Sequence, residues 1–264
     1  MKKWWNILPF FLLACEEPID APLNIVDSDV LVVEGLLTNQ KINHLIKLSH
    51  PHTQISGDPI PATGARAGIF IDGELTYLLQ ENPEEPGYYY SEPFRAVFGQ
   101  VYVLGIEYQG QQYFAFDASA AGEPLPAINL EQVNESFYRL NRPAGGFDPN
   151  YINHDIYWDQ TSFCEQDTLC EGKVVFYDLK TTDVHEIYKP DKTDFIFPVG
   201  SVIVRTKFSV NENYRTFLRS VLSETSWRGG YFDIQRANAP TNLSEGAIGY
   251  FAVSTVVSDT IVVE

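Results

Sequence analysis

Apolar and polar residues alternate in short runs along most of this chain. Gly, Pro and Asn interrupt the runs at strand-length intervals, which is the pattern of half-buried β-strands. The first half predicts seven strands: Val30–Leu37, His44–Ser49, Ala65–Ile71, Leu75–Gln80, Gly87–Ser91, Val101–Tyr108 and Gln112–Asp117. Seven short strands within about 100 residues suggest a β-sandwich of immunoglobulin-like or transthyretin-like kind over residues 29–118. Asp72-Gly73 and Gln109-Gly110 each join two of these strands and supply a glycine where a tight turn needs positive φ.

After Asp117 the chain changes to small residues followed by prolines, Ala118-Ser119-Ala120-Ala121-Gly122-Glu123-Pro124-Leu125-Pro126. Prolines interrupt a sheet, so residues 119–128 are expected to form a semi-rigid linker. A second β-rich domain is expected over 129–264, with strands at Gln132–Leu140, Asp155–Thr161, Lys173–Asp178, His185–Lys189, Phe195–Phe197 and Val202–Ser209. One stretch there has helical period. Tyr214, Phe217, Leu218, Val221 and Leu222 form a single apolar stripe, which predicts a helix over about 213–227. Asn211 or Asn213 would cap its start and Gly229-Gly230 would end it. The stripe reads as core packing, a plug across the second sheet. Two last strands, Ala247–Val256 and Thr260–Val263, are expected to pair across Val257–Asp259 and complete that sheet. The architecture predicted is therefore mainly β, in two domains, with one amphipathic helix.

Composition fits a folded exported body, since 44% hydrophobic and 14% aromatic residues can bury a substantial core. The first 14 residues stand apart. Lys2 and Lys3 precede an apolar run from Trp4 to Leu13 that is too short to span a bilayer needing about 20 such residues, so it reads as a signal peptide. Leu12-Leu13-Ala14-Cys15 resembles a lipobox, which makes Cys15 the acylated first residue, held by palmitate-like chains, and 15–28 an acidic tether. Loss of Lys2 and Lys3 takes 18 basic residues to 16 against 35 acidic ones, a formal charge of −19. Such a surface repels nucleic acid and anionic lipid. With Cys15 lipidated, Cys164 and Cys170 remain, and an even pair in an exported protein reads as a disulfide.

Glu16 and Glu17, directly after the cysteine, resemble the export signal of Bacteroidota surface lipoproteins. Further along come Leu31-Val32-Val33-Glu34-Gly35, Ser91-Glu92-Pro93-Phe94-Arg95, Gly230-Tyr231-Phe232-Asp233 and Gly246-Ala247-Ile248-Gly249-Tyr250-Phe251. In this order they resemble a Bacteroidota outer-membrane lipoprotein family catalogued as domain of unknown function 4249. The resemblance covers essentially the whole chain after the leader. It departs after Gly230, where Ile234-Gln235-Arg236-Ala237 replaces the several prolines common in the family. Members are typically encoded beside TonB-dependent transporters, so the resemblance implies an accessory at the mouth of such a channel, facing the cell exterior.

No Gly-x-Ser-x-Gly elbow or Ser, His, Asp arrangement can be read, and an enzyme is not expected. His50-Pro51-His52, the only close histidine pair, reads as a loop at a strand end, and no metal or other cofactor is expected. Glu81, Glu84 and Glu85 crowd a loop containing Pro83 and Pro86, which reads as solvated. Tyr88 and Tyr90, on the same side of one strand, and Trp158 are the candidate ligand-binding aromatics. Two function classes follow. One is a non-catalytic accessory or substrate-capture subunit of a TonB-dependent transporter, docking through an apolar patch; the alternative is a free-standing glycan- or peptide-binding or adhesion module with its own pocket.

Overall fold

The structure is a computed structural model and describes residues 30–51, 58–165, 169–180, 195–225 and 239–264. It is mainly β, as the alternation requires. The first eight strands are β1 (Leu31–Thr38), β2 (Leu45–His50), β3 (Ile60–Pro61), β4 (Arg66–Ile71), β5 (Glu74–Glu81), β6 (Tyr88–Tyr90), β7 (Val101–Tyr108) and β8 (Gln111–Ala118). There follow β9 (Leu130–Gln132), β10 (Phe137–Leu140), β11 (Asn150–Tyr157), β12 (Glu171–Asp178), β13 (Ile196–Pro198), β14 (Val202–Ser209), helix α1 (Glu212–Glu224), β15 (Ala247–Ser254) and β16 (Val256–Val262). The expected strand at His185–Lys189 and the Gly229-Gly230 stop lie outside the described residues.

One nine-stranded sheet runs β15-β1-β2-β6-β5-β4-β7-β8, with β3 attached to β2. It folds round a core that includes Leu31, Ile46, Leu48, Ile69, Tyr102, Leu104 and Phe251. Both expected hairpin turns form, with φ of 53° and 84° at Asp72 and Gly73 and of 50° and 78° at Gln109 and Gly110. The sheet nearly closes on itself. Between β8 and β15, Asn242 donates its amide to the carbonyls of Phe116 (3.2 Å) and Phe251 (2.7 Å), and its side-chain oxygen accepts from Phe251 N–H (3.1 Å). Ser244 adds a backbone bond to Phe114 O at 2.9 Å. Edge groups that would otherwise face water unpaired are thereby satisfied.

The second region packs a three-stranded sheet, β13-β10-β9, against a four-stranded one, β12-β11-β14-β16. Leu140, Ile156, Phe197, Ile203 and Val263 are the buried residues between them. The expected closing hairpin across Val257–Asp259 does not form. β15 pairs parallel with β1 from Leu31↔Ala247 to Thr38↔Ser254, whereas β16 pairs antiparallel with β14 from Val202↔Val262 to Phe208↔Val256. The last strands therefore complete two different sheets, switching at Thr255. In this position Phe251 and Val253 join the core of the first sheet, while Tyr250 on the other face meets Tyr214 and Phe217 of α1.

Asn211 caps α1, its side-chain oxygen accepting from Tyr214 N–H at 2.9 Å. The helix lies between the regions rather than over the second sheet alone. Tyr214 stacks on Tyr250 of β15 with Phe217 tilted against the same ring, and Leu218 and Leu222 pack with Tyr177 of β12 and with Leu179 just after it. Burial pushes the tyrosines of this junction up, Tyr214 to about 12, so they stay neutral.

Candidate functional site

Two surfaces offer room for a partner or ligand. The first is the outer face of β5, β4, β7 and β8. Alternation turns Leu104 and Ile106 inward and Val103 and Gly105 outward on β7, and β8 likewise presents Phe114 and Phe116 to solvent. On β4 and β7 the outward positions include Gly68 and Gly105, and a Cβ at Gly105 would stand 2.8 Å from the Phe70 ring. The two glycines thus floor an open groove of about 410 Å³, walled by Phe70, Leu75, Leu78 and Phe114. Leu78, Phe114 and Phe116 are 57%, 58% and 63% exposed. Polar groups are confined to the rim, where Arg66 and Glu107 lie 3.5 Å apart.

The second surface is an open cleft of about 350 Å³ beside the segment 119–128. That segment is pinned along β14. Arg205 and Lys207 lie on the same face of the strand as Ile203, and both are almost fully buried. Arg205 makes a bidentate pair with Asp259 and donates to Pro126 O at 2.8 Å. Lys207 donates to Glu123 Oε2 at 3.1 Å and to Pro124 O at 3.2 Å. Ser209 and Thr255 hydroxyls both donate to Ala120 O. Glu123 in turn accepts from Phe147 N–H (2.9 Å) and Asp148 N–H (3.3 Å) of the loop between β10 and β11. Burial works against the charge of Glu123, but these bonds and Lys207 outweigh it and hold its carboxyl below the usual range.

The sequence-predicted site residues do not gather at either surface. Cys15, Glu16 and Glu17 lie outside the described residues. Cys164 and Cys170 are joined in a disulfide in the loop after β11, where Trp158 N–H donates to Cys170 O at 2.9 Å. Tyr88 and Tyr90 are half-buried on one side of β6, and the intervening Tyr89 is buried and donates to Ala62 O. Trp158 belongs to the second region, packed on Phe195, so the structure does not bring the three candidate aromatics together. His50 bonds the Tyr108 hydroxyl at 3.0 Å; His52 is outside the described residues. Glu84 and Glu85 are exposed, as expected of a solvated loop, but Glu81 organises it by accepting from Gly64 and Gly87 N–H. Among the described residues no group of three or more His, Cys, Asp or Glu is placed to hold a metal ion, and no helix is long and apolar enough to cross a membrane.

Sequence reasoning missed both surfaces. The groove had a signal in the outward positions of β8, where Phe114 and Phe116 replace the polar residues of a solvated strand face. The pinned segment had one in β14, where Arg205 and Lys207 interrupt the apolar side of a strand.

Fold and surfaces define a two-region, mainly β protein with one helix. The model of a domain of unknown function, DUF4249, matches residues 16–260, and the chain belongs to that family. No curated protein matches the chain. Two of the motifs noted in the sequence meet: Leu31–Gly35 and Ala247–Phe251 are paired stretches of β1 and β15, whereas Ser91–Arg95 bonds to Ile42 and His44 and Gly230–Asp233 lies outside the described residues. Between β1 and β15 a side chain at Gly249, whose φ is 100°, would run into the Val33 carbonyl. These two motifs serve the closure of the first sheet.

Proposed function

We propose that the chain is a surface-exposed, lipid-anchored outer-membrane protein that acts as a non-catalytic accessory or substrate-capture subunit of a TonB-dependent transporter. The observation that carries this reading is the apolar outer face of β5, β4, β7 and β8, with Leu78, Phe114 and Phe116 each more than half in water. Exposed apolar surface gathered on one face, in a chain of formal charge −17, favours a partner that removes it from water. The lipobox at Cys15 would hold the body close to the membrane, and the transporter association that the family resemblance implies supports this choice of partner. Docking of this kind needs no active site: the groove floored by Gly68 and Gly105 takes an apolar side chain of the transporter's outer loops.

The test is a tag after Glu264, cross-linking of intact cells, gentle solubilisation of the outer membrane and mass spectrometry of what co-purifies. A TonB-dependent transporter in stoichiometric amount is expected. Phe114→Asp with Leu78→Asp should reduce its yield about tenfold without unfolding the protein, because both side chains are at the surface. Recovery of the lipoprotein alone, despite efficient cross-linking, would overturn the reading in favour of a free-standing glycan- or peptide-binding module.

A further inference from the structure

Among the described residues Phe147 is the most exposed of the large apolar side chains, at 95%, yet the loop carrying it is firmly held. Its own N–H and that of Asp148 are bonded to Glu123, whose other oxygen faces the buried Lys207. The preceding residue is held as well, because Lys180 donates to Gly146 O at 2.6 Å while pairing with Asp178 at 2.6 Å. Gly146 allows this approach, since a side chain there would collide with the Glu123 carboxylate. An aromatic ring standing in water on an anchored loop buries nothing of its own, so folding does not account for it.

The ring borders the 350 Å³ cleft, whose lining combines flat apolar surface from Pro124 and Phe176 with the polar groups of Arg142, Asn150 and Asp178. The charges in and around it are already matched: Glu123 to Lys207, Asp178 to Lys180, and Arg142 to the Tyr177 carbonyl at 2.7 Å. An ionic ligand would have to break one of these pairs, at the cost of leaving a partly buried charge uncompensated. A neutral ligand would not. A molecule with a flat C–H face for the aromatic ring and hydroxyls round its edge for carboxylate, amide and guanidinium fits this mixture. We infer that the cleft beside Phe147 is a binding site for a neutral saccharide, with the phenyl ring as its stacking platform. The inference does not rest on docking to a transporter, because the groove of the first sheet lies on other strands and shares no residue with the cleft.

Saturation-transfer-difference NMR on the purified mature protein, with cellobiose, maltose and chitobiose as neutral probes and the tripeptide Gly-Phe-Gly as a comparison, tests it. At least one disaccharide at millimolar concentration should receive saturation on its ring protons. Phe147→Ala should weaken that binding about tenfold, the size of one lost stacking contact, whereas Phe114→Ala in the groove should leave it unchanged. Phe147 packs on nothing, so its loss does not threaten folding. No transfer to any of the three sugars, binding that Phe147→Ala leaves intact, or binding of the tripeptide alone would each overturn the inference.

Discussion

The two regions hold themselves together by different means. Among the described residues the first sheet gathers nineteen buried apolar side chains into one cluster, while the second region gathers five. A region with so little apolar core needs other fastening. The second region has it in the Arg205–Asp259 and Lys207–Glu123 pairs, the 119–128 segment bound across β14, and the disulfide. The surfaces differ in the same way: the first region presents an apolar outer face, whereas the second, already laced with polar groups, presents a mixed cleft.

The comparison is broken most directly by taking away one partner of a buried charge. Asp259→Ala leaves Arg205 buried without its carboxylate, and is expected to cost about 4 kcal/mol in denaturant unfolding, as much as deleting part of an apolar core. Leu104→Ala, in the first core, is the matching cut at about 3 kcal/mol. If Asp259→Ala unfolds at the parent's midpoint, the Arg205–Asp259 pair contributes nothing and apolar packing carries more of the second region than its polar ties suggest.

Reducing the disulfide is the next smaller cut. Cys164 and Cys170 are separated by 6 positions, so the bond closes a short ring and removes little freedom from the unfolded chain. The expected loss is about 2 kcal/mol, read as the shift in midpoint between oxidised protein and the Cys164→Ser, Cys170→Ser variant. A loss larger than that of Asp259→Ala would make the disulfide, and not the Arg205–Asp259 pair, the chief fastening of the second region.

The first region was also the more legible in sequence, and for a related reason. Its strands alternate cleanly because one side of each faces a single apolar core, so strands such as Val101–Tyr108 and both glycine hairpins could be placed from the pattern alone. The second region departs from that rule. Arg205 and Lys207 sit where alternation calls for apolar residues, and their carboxylate partners at 123 and 259 are far away in sequence, so nothing local announces the pairing. The partner of β15 was hidden for the same reason. Ala247–Ser254 reads as a strand, but its parallel pairing with β1 joins the two ends of the chain, and short-range turn signals favour the hairpin that does not form. The candidate ligand aromatics were chosen by residue type, yet Trp158 is drawn into packing while Phe147 is left in water, a difference set by tertiary contacts alone.

The smallest expected effect is one of pH, and it too separates the regions. Each has a buried histidine: His44 bonds the Phe94 carbonyl at 3.1 Å in the first, and His154 packs edge-on to Phe176 near Arg205 in the second. Burial lowers both below the ordinary histidine value, more than their backbone hydrogen bonds raise them. Arg205 lowers His154 further, and Asp155 opposes it. A group depressed on folding takes up its proton more readily when unfolded, so its contribution is complete above the unfolded value of about 6.5 and is lost as pH falls from there toward the folded value. Stability should therefore drop between pH 7 and pH 5, by at most about 1.4 kcal/mol per pH unit for each histidine. His154→Gln should reduce that slope while leaving the share due to His44, as measured by denaturant unfolding at the two pH values. If the slope is unchanged, His154 already takes up its proton in the folded state beside Arg205, and the polar layer of the second region is wetter than its burial implies.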